Sequence, residues 1–301
     1  MTSPAPVART STPALPPLVA VAIVVTVLAW ASAFIVIRGV SPHFGGGSLA
    51  LARLLVGSVL LGLVMIGRRW VRPTGREWLL IAGFGVAWFG AYNVALNIAE
   101  QTLDAGTTAM IVNVGPVLIA LGAGVLLGEG IPKWLAIGAG VSFLGILLIG
   151  FGSGGGSLGD GSGVLWCLLA AVTFAAGVML QKPALRRLPA AQVTWLGCMI
   201  GAVACLPFAG ALVDDITTAP VTSVLGAIYL GAVPTALAFS NWAYALSKLP
   251  AGQLGVSTYI VPSLVVLLGF LAFAEIPTIA AIAGGVVALV GVALSRRRSR
   301  E

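Results

Sequence analysis

The sequence predicts an all-α integral membrane protein with ten transmembrane helices in two inverted five-helix repeats. Three observations lead there. Of 301 residues, 59% are hydrophobic and 8% charged, where a soluble protein is about a quarter charged. Ten apolar windows are each long enough to cross a bilayer as a helix, and one stretch in the first half of the chain matches another in the second. The polar surface needed to face water is missing, which excludes a soluble enzyme domain, and the composition suits neither a disordered chain nor a disulfide scaffold. Ten crossings of about 20 residues leave about 100 for all tails and loops, too few for a separate soluble domain.

Residues 1–17, rich in Pro, Ser and Thr, read as a disordered tail. A cleaved signal peptide is the alternative there, because Ala31-Ser32-Ala33 mimics a cleavage site, but the apolar run continues through Ile35-Val36-Ile37 and is too long for one. Windows at about 18–38, 48–67, 78–99, 105–128 and 134–151 make the first repeat, residues 18–151. Their breaks carry turn punctuation: Ser41-Pro42 with Gly45-Gly46-Gly47, then Arg72-Pro73-Thr74-Gly75, then Ile131-Pro132-Lys133. Residues 152–162, mostly Gly and Ser, are a flexible linker. Windows at about 163–181, 190–210, 222–246, 252–273 and 278–295 make the second repeat, residues 163–295, and 296–301 form a basic tail. Cys167, Cys198 and Cys205 lie in apolar windows with no metal or redox spacing, so they read as packing residues.

Charge position sets orientation. With the N-terminus in the cytoplasm, alternate loops place Arg9, Arg68, Arg69, Arg72, Arg76, Lys133, Lys182, Arg186, Arg187, Lys248, Arg296, Arg297, Arg298 and Arg300 inside, 14 of the 16 basic residues. Glu100, Asp104, Asp160, Asp214, Asp215 and Glu275 fall outside. Cytoplasmic loops carry the excess of Lys and Arg, so both termini are placed in the cytoplasm, and the net charge of +7 calls for no nucleic-acid partner. Arg38 and Arg53 sit at outer helix ends, where they either snorkel to lipid headgroups or attract anions.

Ala105–Glu129 aligns without a gap on Ala251–Glu275, matching Ala105/Ala251, Gly106/Gly252, Pro116/Pro262, Leu118/Leu264, Leu121/Leu267 and Glu129/Glu275. Tyr92-x-x-Ala95-Leu96 echoes Trp242-x-x-Ala245-Leu246, with a four-residue slip. Five helices per half is an odd number, so the halves enter the membrane from opposite sides, the architecture of many alternating-access transporters. Pro116 and Pro262 fall about 16 and 15 Å into their helices at 1.5 Å per residue; a proline there kinks a helix and frees a carbonyl, for packing or for gating.

Trp30-Ala-Ser-Ala-Phe34, Arg53, Tyr92-Asn93-Val94-Ala95-Leu96, and Ala105-Gly106 through Pro116 to Leu127-Gly128-Glu129 together resemble the drug/metabolite transporter superfamily in its ten-helix EamA form. The resemblance covers about residues 18–296 and implies an inner-membrane secondary transporter of small organic metabolites or drugs, usually outward. The second half departs from it at Phe273-Ala274-Glu275, where the glycine of Leu127-Gly128-Glu129 is replaced.

Polar groups are costly in lipid and turn toward the bundle interior or a cavity. Candidate cavity residues are Trp30, Tyr92, Asn93, Asn113, Trp242 and Tyr259; the alternative is that the asparagines tie helices together and the aromatics form interface belts. No Asp or Glu stands at mid-helix, so the expected mechanism is facilitated diffusion, exchange, or coupling through a helix-end acid: Glu100, Glu129 or Glu275. For these acids loop solvation or helix contact is the competing role. No metal or cofactor is expected: the Gly154-x-Gly156-x-x-Gly159 fingerprint lies in the linker and His43, the single histidine, in a loop. The expected partners are a small-molecule substrate and the lipid bilayer. Two other classes compete: a membrane sensor or scaffold, which should carry a soluble output domain, and an intramembrane enzyme, which needs a catalytic pair that the chain does not display.

Overall fold

The computed structural model describes residues 16–126, 133–153 and 161–294; Glu129, nearly all of both tails and most of the linker lie outside them. Among the described residues every regular element is helical. The α-helices are α1 Pro17–Val40, α2 Gly46–Met65, α3 Gly75–Thr102, α4 Ala105–Val112, α5 Gly115–Leu126, α6 Lys133–Ser153, α7 Ser162–Ala184, α8 Ala190–Ala204, α9 Ala209–Thr218, α10 Val221–Lys248, α11 Ala251–Gly255, α12 Val261–Phe273 and α13 Ile279–Leu294. Six helical stretches are long and apolar enough to span a membrane: α1, α2, α3, Ala105–Gly122, α7 and α10. A seventh is added if α8 and Leu206–Thr218, bent by 51° to each other, count as one. The chain is a multi-pass helical membrane protein.

The two midspan prolines do more than kink a helix. Asn113 and Val114 form a turn, and α5 restarts with Pro116 in second position. A stretch of 3-10 helix, Val256–Ile260, separates α11 from α12, which again carries its proline, Pro262, in second position. A first-turn proline lacks an N–H that would have no intrahelical partner anyway, so each proline stabilises a restart.

α3 and α10 are related more closely than the sequence comparison implied. Both have 28 residues, and each is interrupted by one π-helical segment, Gly85–Ala91 in α3 and Gly231–Leu237 in α10. The interval from Gly85 to Gly231 equals that from Ala105 to Ala251, so the four-residue slip is corrected to none: Tyr92 corresponds to Ala238, and Trp242 to Leu96. Each π segment meets a helix of the other half at a glycine. A Cβ on Gly85 would stand 2.6 Å from the carbonyl oxygen of Gly197 in α8, and one on Gly231 would stand 2.7 Å from that of Arg53 in α2. Gly197 and Gly201 thus serve packing within the subunit. α6 and α13 pair just as closely: a Cβ on Gly284 would lie 2.6 Å from the Gly145 carbonyl oxygen, and Ser142 Oγ donates to the Ala288 carbonyl at 3.0 Å.

Charged groups gather at two ends. At one, Thr74 caps α3 in a capping box with Glu77. Glu77 also accepts from Arg187 Nε at 2.8 Å, which raises the Arg187 guanidinium above its ordinary value, and Lys182 donates to the Leu249 carbonyl at 2.7 Å. At the other end Gly45 N–H donates to Asp215 at 3.0 Å, Ser223 meets His43 at 3.1 Å, and Arg38 pairs with Glu275 at 2.9 Å. α3 therefore begins at the first end and α10 at the second.

The glycine missing from Phe273-Ala274-Glu275 has a backbone explanation. Ala274 ends α12 in the left-handed region, φ 54° and ψ 22°, which costs an L-residue about 1–2 kcal/mol and glycine far less. Ala274→Gly should raise the apparent melting temperature of detergent-solubilised protein, corresponding to about 1 kcal/mol; an unchanged or lower value would remove the strain argument.

Candidate functional site

Where α1, α2, α3, the α4–α5 break, α7, α10 and the α11–α12 break meet, they line a cavity of about 50 Å³. That is room for a few waters, below the roughly 300–1,000 Å³ of ligand pockets. Trp30, Phe34, Trp88, Tyr92, Phe174 and Phe239 supply aromatic wall, and Arg53, Asn113 and Thr258 supply polar atoms.

The rings belong to one continuous cluster drawn from both halves. Centroids lie 4.9 Å apart for Trp30–Trp242, Trp88–Phe174 and Trp88–Phe239, at separations usual for aromatic pairs, and 4.4 Å apart for Phe89–Phe239. Trp88 reaches the centre because Gly177 lets α7 approach: a Cβ there would clash with the Trp88 side chain.

Both π segments leave carbonyls that side chains then satisfy. Asn93 Nδ2 donates to the carbonyls of Trp88 and Phe89 at 3.3 and 2.7 Å. In α10, Thr235 Oγ1 donates to the Leu230 carbonyl at 2.8 Å and accepts from Arg53 Nε at 3.1 Å. The two proline breaks touch: Thr258 Oγ1 donates to the Gly255 carbonyl at 2.8 Å and shares that proton with Asn113 Oδ1 at 3.3 Å, and a Cβ on Gly255 would lie 3.5 Å from Pro116.

Of the residues singled out from the sequence, Trp30, Tyr92 and Asn113 line the cavity, and Trp242 packs on Trp30 behind its wall. Two do not line it. Asn93 is fully buried and turned to backbone carbonyls, because the π segment requires a donor there. Tyr259 is partly buried and packs against the core, while its neighbour Thr258 reaches the cavity. Pro116 and Pro262 start the helices after the two breaks.

The charged residues depart furthest from expectation. Arg53 is 3% exposed and reaches the cavity, so snorkelling to headgroups is overturned. Nη1 of this residue has no hydrogen-bond partner. Arg38 bonds Glu275 and the Glu100 carbonyl, the latter at 3.2 Å. Glu100 is 0% exposed with both carboxylate oxygens unpartnered, which excludes loop solvation, whereas Glu275 makes an ion pair between α1 and the end of α12. Trp88, Phe174 and Phe239 were not singled out from the sequence, although aligning α3 on α10 without a slip would have put Phe239 opposite Asn93.

A helical membrane protein with an aromatic cavity between broken helices has the form of a small-molecule carrier. The EamA-like transporter family model matches the chain twice, over residues 17–151 and 161–297. The chain belongs to this family and is a membrane transporter. It is 34% identical to the "Probable terminal-alkyne amino-acid exporter" of Streptantibioticus cattleyicolor over 92% of this chain and 93% of that one. It is 33% identical to the "Uncharacterized transporter YdfC" of Bacillus subtilis, covering 87% and 86%. A solved structure titled "Crystal structure of protein" superposes with a TM-score of 0.63 at 18% identity, over 92% of this chain and 96% of that one, a likeness of fold.

Asn93→Leu should destabilise the protein by about 1–2 kcal/mol, the cost of leaving buried carbonyls unpaired, read as a lower melting temperature in detergent. An unchanged melt would show that the π segment needs no amide.

Proposed function

We propose that the chain is a secondary transporter, working as an exporter, that carries small organic molecules across the plasma membrane by alternating access between two inverted five-helix halves. The first half runs over residues 18–151 and the second over 163–295, with both termini cytoplasmic. The observation that carries this reading is the aromatic cavity, walled by both halves at two touching helix breaks. The opposite starting ends of α3 and α10 support the inversion. The clustering of Arg187 and Lys182 at one end supports the cytoplasmic assignment of that end. The name of the Streptantibioticus relative makes amino acids with apolar side chains the first compounds to test.

In this cycle the Arg38–Glu275 pair holds the outer end shut, and Glu100 is the coupling acid. Both Glu100 carboxylate oxygens are buried without a partner, so this side chain meets water only when the bundle opens. Charged and titratable groups facing it are Arg38 from α1, Arg53 from α2, Asp104 at the start of α4, Glu275 after α12, Tyr92 on its own helix and Cys167 from α7.

Purified protein in liposomes should release preloaded, labelled apolar amino acids with saturable kinetics, faster when the exterior is acidified. Glu100→Gln should keep exchange and lose that acceleration. Absence of flux for amino acids, nucleobases and lipophilic cations alike would overturn the transporter mechanism in favour of a sensor. Glu275→Ala, in a cysteine-free background with Ala33→Cys, should raise labelling by an impermeant external maleimide roughly two- to fivefold, the shift that up to about 1 kcal/mol produces. Unchanged labelling would remove the pair from the gate.

A further inference from the structure

Beside the hydroxyls of Tyr92 and Thr258, the cavity's buried and unpartnered polar atoms are one-sided. Among the described residues that line it, the buried side-chain atoms without a partner are Arg53 Nη1 and Asn113 Nδ2, and both are donors. Asn113 Nδ2 is the amide atom turned away from Thr258, which lies 3.3 Å from Oδ1. Just behind the wall, the indole N–H of Trp242 is a third unpartnered donor. No Asp or Glu is among those lining residues.

Arg53 has a cost to offset. A guanidinium keeps its charge even when buried, and here one nitrogen bonds Thr235 while Nη1 is left bare inside the membrane bundle. No carboxylate lies within ion-pair distance among the described residues, for both oxygens of the nearby Glu100 are themselves unpartnered. Removing one partner of a buried pair is strongly destabilising, so an uncompensated cation held in a cavity calls for an anion from outside the chain.

We propose that Arg53 and Asn113 receive the carboxylate of the transported molecule, while its apolar body lies against Trp30, Phe174 and Phe239. The proposal rests on the transporter reading and adds the recognised group. One guanidinium charge and one amide match a monoanion with planar, paired acceptors better than a phosphate dianion, and the aromatic wall suits an apolar or unsaturated chain. An amino group on the substrate is dispensable, since no ionised acid lines the wall to read it.

Binding to purified protein in nanodiscs, followed by calorimetry, tests this without any flux measurement. The probes are 3-phenylpropionate, phenylalanine, phenylalaninamide and phenyl phosphate. The first two should bind comparably; the amide, which lacks the carboxylate, should bind roughly tenfold or more weakly, as expected for loss of a charge-assisted hydrogen bond. Arg53→Gln should weaken 3-phenylpropionate by a similar factor, Arg53→Lys less, and Asn113→Leu should give a smaller loss. Equal binding of the amide, tighter binding of phenyl phosphate, or undiminished binding to a folded Arg53→Gln protein would overturn the assignment. The comparison of acid with amide on the unaltered protein keeps the test decisive if Arg53→Gln fails to fold. Carboxylate-selective binding without flux would uphold this inference and overturn the transporter mechanism, whereas flux indifferent to the carboxylate would do the reverse.

Discussion

Inside a bilayer there is no water to complete a hydrogen bond, so each buried donor or acceptor must find its partner in the protein or bear the cost of having none. The structure around the cavity follows from that rule. π segments in α3 and α10 displace backbone carbonyls, and Asn93 and Thr235 are placed to satisfy them. The proline breaks put turns at mid-bundle, and Asn113 and Thr258 bond each other across them. What remains after these pairings is a short set of unpartnered groups, Arg53, Asn113 and Glu100 among them, and the proposed chemistry rests on these.

The frame repeats while the chemistry does not. Glycines at corresponding positions of the two π segments let each approach a helix of the other half, so the halves interlock at both contacts. At the repeat interval, however, Arg53 corresponds to Met199, Glu100 to Leu246 and Tyr92 to Ala238. A duplicated backbone thus supplies two equivalent moving parts, and one half supplies most of the charge. This arrangement concentrates charge near α2, α3 and the α4–α5 break, and leaves the second half to provide Phe174 and Phe239 as aromatic wall and Thr235, Trp242 and Thr258 as supports.

Much of the fold was legible from apolar windows, because a helix is the open-ended way to satisfy backbone in lipid and its length is dictated by the bilayer. Helix occurs in every predicted window, although several are short, bent or broken. Trp30, Tyr92 and Asn113 were legible as rare polar or aromatic groups at depth. Asn93 and Tyr259 fall outside the cavity lining because hydropathy says nothing of azimuth: Asn93 turns to backbone carbonyls and Tyr259 packs against the core. Arg53 was misread for a related reason: a basic residue near a helix end snorkels only if its helix faces lipid there, and α2 faces α10.

The sequence by itself determined that this chain lives in a membrane as a helical transporter family member, since composition, window length and motif spacing are properties of the chain alone. Only the tertiary structure decided which helix faces meet, that α3 and α10 share a π segment in the same register, and that Arg53 and Glu100 are sealed from water. Those outcomes depend on contacts between residues far apart in the chain, 182 positions for Arg53 with Thr235 and 237 for Arg38 with Glu275. Burial, which turns an ordinary Arg or Glu into a binding or coupling group, exists only once those helices have packed.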